Sequence, residues 1–125
     1  MVAAIRVVYL YVGSEDVDAD LKFFVDGLGG EQAWRFHEFD ADVAGVRMGD
    51  GPMYIVANHR PAGSLLPIIA VDDLDATARE LQAAGFSDLG TTVEVPDGPV
   101  MVLRAPAGNE VGLLHQVRPG ALEHH

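Results

Sequence analysis

At 125 residues, with 49% apolar and 22% charged side chains, the chain is sized for one domain with a real hydrophobic core. Nineteen acidic residues against eight basic ones give a net charge of −11, which repels phosphate backbones and anionic lipid, so neither nucleic acid nor membrane is an expected partner. Cysteine is absent, which excludes disulfides and thiolate chemistry and makes a cytoplasmic address the default expectation.

Met1 to Arg6 runs straight into a strand, with no signal-peptide pattern expected there. Ile5 to Val12 is β-branched and aromatic without a breaker and reads as a buried strand. Gly13-Ser14-Glu15-Asp16 supplies turn and cap chemistry, with Ser14 the expected N-cap. Val17, Leu21, Phe24, Val25 and Leu28 then share one helical face, and Gly29-Gly30 ends the helix. Ala33 to Phe39 and Val43 to Met48 read as strands joined by an Asp40-Ala41-Asp42 turn, and Met53 to Asn58 as the next strand. Residues 60–64 are linker-like, with a proline and a glycine. Leu66 to Val71 opens a second series, followed by a helix capped by Asp72 or Asp73 and ending at Gly85. Strands near Gly90–Val95, Val100–Arg104 and Glu110–Gln116 complete it. Leu122-Glu123-His124-His125 reads as an expression-tag remnant, leaving His37, His59 and His115 as histidines of interest.

The chain therefore says the same thing twice. Arg47 precedes the Gly49–Gly51 turn and the apolar run at Tyr54 as Arg104 precedes the Gly108 turn and the run at Val111. The expectation is one α+β domain over 1–121, built of two βαβββ modules at 1–59 and 65–118. Residues 122–125 lie outside it.

Asp72-Asp73-Leu74-Asp75, Gly85-Phe86, the turn Arg104-Ala105-Pro106-Ala107-Gly108-Asn109 and the stretch Ala44 to Asp50 together resemble the vicinal-oxygen-chelate superfamily. That superfamily includes glyoxalase I, extradiol dioxygenases and bleomycin-resistance proteins. The resemblance implies a curled, mixed eight-stranded sheet around one cleft, helices outside, and a homodimer. Its metal enzymes place His, Glu or Gln at four equivalent positions, which fall here on Val7, Ile55, Leu66 and Gly112. None of these can ligate a metal, and Val8, Tyr54, Val56 and Leu65 beside them add no imidazole or carboxylate. No metal, cofactor or catalytic residue is therefore expected. No serine sits in a nucleophile elbow, and Gly27-Leu28-Gly29-Gly30 ends a helix where a phosphate loop would begin one.

Strand parity leaves an apolar, aromatic surface as the candidate site. Tyr9, Tyr11, Trp34, Phe36, Ile55, Leu66, Ile68 and Leu114 are the expected ligand-binding residues, Trp34 standing where drug-binding relatives carry a stacking aromatic. The competing reading is that these side chains are simply core. The function expected is metal-free binding that sequesters a flat aromatic or cationic organic molecule, such as an antibiotic. The alternative is a lyase, isomerase or dioxygenase-type enzyme of the same superfamily, with Glu38, His37 or a tyrosine as a metal-free acid/base.

Overall fold

The computed structural model describes residues 5–95 and 98–115. In chain order the elements are β1 (Ile5–Gly13), α1 (Val17–Lys22), β2 (Glu31–Glu38), β3 (Ala41–Arg47), β4 (Met53–Ala57), β5 (Leu65–Val71), α2 (Leu74–Ala83), β6 (Ser87–Val95), β7 (Gly98–Arg104) and β8 (Glu110–Leu114). A π-helical turn, Phe23–Gly27, continues α1. The protein is thus α+β, with eight strands in a mixed sheet and the βαβββ order occurring twice. The described residues divide into two compact units, one of residues 9–66 and one of residues 5–8 with 67–95 and 98–115. They are called the N-unit and the C-unit below.

In the N-unit the strands run in the order β2-β3-β4-β1. β1 lies parallel to β4, and β3 pairs antiparallel with both β2 and β4. Val17, Leu21 and Phe24 drop from the helix onto Ala44, Val46 and Val56, with Val25, Met48 and Tyr54 packed around them. Removing each such aliphatic side chain from water contributes about 1.5–3 kcal/mol. Asp16, not Ser14, caps α1, its carboxylate accepting from the Ala19 N–H at 3.0 Å. Buried Ser14 instead donates to Asp20 and accepts from the Asp16 N–H at 3.1 Å, so it braces the cap from outside the helix. Gly13 admits the linker: a Cβ there would overlap the Pro61 carbonyl, and the Gly13 N–H donates to Ser64 O at 3.0 Å.

In the C-unit the order is β5-β8-β7-β6, with β5 parallel to β8 and the rest antiparallel. Asp73 caps α2 by accepting from the Ala76 N–H at 3.0 Å. Gly85, at φ 105°, turns the chain out of α2 while the Phe86 N–H donates to Leu81 O at 2.9 Å. Val71, Ala78, Leu103 and Leu113 form this unit's helix-side core.

One turn and one strand end differ from expectation. The β2–β3 turn is the two-residue Phe39-Asp40 pair, both at positive φ (50° and 65°), with Glu38 facing Ala41 across it. That is the φ pattern of a primed hairpin, which suits strand twist, so the Asp42 side of the expected turn became strand. Asn58 holds this turn, donating to Asp40 O at 2.8 Å. The last strand stops at Leu114 with His115 outside it; Gln116, expected to end that strand, lies outside the described residues.

Candidate functional site

Strand register carries the site. Trp34 faces Gly45, Gly45 faces Ile55 and Ile55 faces Tyr11, so these four residues make one row straight across β2, β3, β4 and β1. Side chains in such a row share a face of the sheet. That face is opposite the α1 core, because Ala44, Val46 and Val56, the alternate residues, pack on the helix. Phe36, Val43 and Ala57 form the adjacent row, and Tyr9 sits beside Met53 two residues along from Tyr11.

A register shift between Gln32 and Trp34 turns the indole onto this face. Gly45 then supplies its bed: a Cβ there would overlap Trp34 Cε2 and Nε1. The indole lies against bare backbone, half-buried. Its Nε1–H is buried and has no acceptor among the described residues. A desolvated donor of this kind is costly, and a ligand's acceptor reaches it only if the indole shifts off Gly45.

At the other end of the row Tyr11 is only 2% exposed. Its hydroxyl lies 2.7 Å from Nε2 of His59, and the rings meet edge to face at 5.6 Å and 65°. Burial pushes the Tyr11 phenol up to about 12, partly offset by the Arg60 charge. Burial first, and Arg60 second, hold the His59 imidazole below its ordinary value. At neutral pH the phenol is therefore protonated and the imidazole neutral. Either the phenol donates to Nε2, or Nε2–H donates to the phenol oxygen and frees the phenol proton.

The other expected residues stand as follows. Ile55, Leu66, Ile68 and Leu114 are 0–1% exposed and Tyr9 is 5%, while Phe36 is 49% exposed. In the C-unit Ile68 pairs with Gly112, and Leu114 with Ala70, on the face opposite the α2 core. The structure thus joins Tyr11, Ile55 and Trp34 in one row, with Tyr9 and Phe36 on the same N-unit face. His37 and His115 are exposed, and Glu110 pairs with Arg104 at 3.2 Å. Sequence reasoning missed two members, Gly45 and His59. The first carried a signal, since an isolated glycine inside a strand marks a close approach. The second carried none, because its partner is 48 residues away.

The positions that the resemblance assigns to metal ligands do not fit a metal. Ile55 and Leu66 are buried hydrocarbon and Gly112 has no side chain, so no donor is offered. Among the described residues no three His, Asp or Glu side chains gather. Strand pairing also sets Tyr11, rather than Val7, beside Ile55.

The sequence profile of the Glyoxalase/Bleomycin resistance protein/Dioxygenase superfamily matches residues 6–113. Methylmalonyl-CoA epimerase from Mycobacterium tuberculosis is similar in structure, with a TM-score of 0.71, 16% identity and coverage of 94% of this chain and 93% of that one. A mutant of 4-hydroxymandelate synthase from Streptomyces coelicolor also gives 0.71, at 15% identity over 94% of this chain and 40% of its own. A superfamily member from Vibrio splendidus 12B01 gives 0.64, at 17% identity over 91% of this chain and all (100%) of that one. At these identities the likeness is one of fold. No curated protein matches the chain.

Proposed function

Because the chain belongs to the glyoxalase/bleomycin resistance protein/dioxygenase superfamily, we propose that it binds a flat, cationic or neutral aromatic molecule against Trp34, the part-exposed end of the Trp34–Gly45–Ile55–Tyr11 row, without a metal. The observation that carries this reading is the half-buried indole laid on Gly45 with an unsatisfied Nε1–H. An aromatic wall binds planar ligands by area and offset stacking, and a net charge of −11 favours a cation.

The test is titration with bleomycin and with the flat cationic dye ethidium, followed by Trp34 fluorescence and by calorimetry. Saturable quenching is expected, and Trp34→Ala should weaken binding by about 1–3 kcal/mol while the protein stays folded. Unchanged calorimetric affinity in a variant that loses about 3–5 kcal/mol of stability would show that Trp34 is only packing.

The hydrogen-bonded Tyr11–His59 pair favours a second reading, metal-free proton transfer. The exposed, neutral His59 imidazole, hydrogen-bonded to the buried Tyr11 phenol, is placed to take a proton from a substrate without a metal, as a proton transfer next to a carbonyl requires. Turnover of methylmalonyl-CoA that disappears in Tyr11→Phe would favour this reading over simple binding.

A further inference from the structure

The two units are related by a constant offset. Arg47 and Arg104, the caps Asp16 and Asp73, and the strand pairs Tyr11–Ile55 and Ile68–Gly112 all stand 57 residues apart. Each helix–sheet interface therefore has a counterpart, position by position. In the N-unit Phe24 and Tyr54 stack at 5.1 Å between helix and sheet, with Met48 beside them. The matching C-unit residues are Leu81, Val111 and Ala105, all three smaller.

The space those side chains vacate is open. A cavity of about 330 Å³ lies between α2 and the sheet, and Leu81, Val111 and Ala105 all line it. Among C-unit residues larger than their counterparts, Leu103 and Met101 do not line it, whereas Leu113, Ile69 and Phe86, against Val56, Val12 and Gly29, line it and narrow it without filling it. Ile69, Val71 and Leu113 form the sheet wall, and Phe86 closes the end where the chain leaves α2. Asn109 is exposed and Thr77 half-buried, so this side reaches solvent. The Glu110 carboxylate at the same side is held by Arg104 at 3.2 Å and asks for no cation.

We propose that this cavity is a binding site for a small uncharged hydrocarbon-like molecule, a single aromatic ring or a short alkyl chain. The pocket is open to solvent on one side and its walls are almost wholly hydrocarbon, so an uncharged guest removes apolar surface from water without displacing a polar contact. An uncharged ring regains the dispersion contacts that the wall lacks, whereas a charged ligand would be desolvated with nothing to pair it. The site lies wholly within the C-unit and does not depend on the N-unit row.

Toluene is the probe, titrated into the full chain and followed by methyl NMR. Saturable shifts confined to the methyls of Ile69, Val71, Leu81, Val111 and Leu113 are expected, with a rise in melting temperature. The double variant Leu81→Phe/Val111→Tyr rebuilds the N-unit packing, and should weaken toluene binding by at least about tenfold while raising the melting temperature of the free protein. Should that variant fail to fold, Ala105→Met narrows the same cavity from its turn end and should weaken binding in the same direction. No saturable shift up to the solubility limit of toluene, or undiminished binding in a folded filled variant, overturns the proposal.

Discussion

A methyl group at Gly45 would occupy space held by Trp34 Cε2 and Nε1, so Gly45→Ala tests how firmly the indole is seated. The side chain must yield, because the backbone on the far side is fixed by the Ile55 pairing. Overpacking of this kind costs about 1–3 kcal/mol, and the displaced indole should show red-shifted emission. Urea unfolding and a fluorescence spectrum of the variant check both. Tyr11 and His59 make a pH prediction with two windows. His59 has a lowered pKa in the fold, so the unfolded chain binds more protons just below 6.5; this contribution to stability is present above 6.5 and lost as pH falls through the folded value. Tyr11 is raised to about 12, so its contribution is present below 10 and lost as pH rises from 10 towards 12. His59→Gln should flatten the acid limb of the melting-temperature profile relative to the parent, and an unchanged limb would mean the imidazole is not coupled to folding.

At the scale of elements, the β2–β3 hairpin holds unused stability. Phe39 sits at φ 50° with 97% of its surface exposed, a conformation that costs a bulky residue about 1–2 kcal/mol and gains it no packing. Replacing Phe39-Asp40 by Asn-Gly should therefore stabilise the protein by about 1 kcal/mol, read as a higher urea midpoint with an unchanged slope. The hairpin is already tied to α1 on its other face. Arg35 donates to both Asp42 oxygens at 2.9 and 2.7 Å and to Asp18 at 2.8 Å, which holds the Asp42 carboxyl below its usual range. Sequence reading found every strand here but misplaced this turn, because Phe39 carries strand propensity and nothing local announces a positive φ. It misplaced the α1 cap for a related reason: Ser14, Asp16 and the acids around them are all good caps, and only the packing of Val17 and Leu21 decides which residue starts the helix.

Across the whole chain, what was legible was what repeats. Alternation and helical periodicity gave both βαβββ series, and the paired arginines and turn glycines gave their equivalence. Parity gave the common face of Tyr9, Tyr11 and Ile55, while Trp34, with Phe36 two residues on, came from the family resemblance. The contents of the site were less legible, because the Tyr11–His59 contact and the bed under Trp34 depend on pairings far apart in the chain. Unequal filling of two equivalent interfaces is likewise invisible until both are built. That inequality has a consequence for motion. Helix α1 rests on stacked aromatics and is held by Arg35, whereas α2 borders a half-open apolar groove and forfeits contacts along that side. Local opening should therefore be cheaper in α2, and its amides from Ala78 to Gln82 should exchange with deuterium faster than those from Leu21 to Val25. The same fold, written twice, would breathe from one of its two copies.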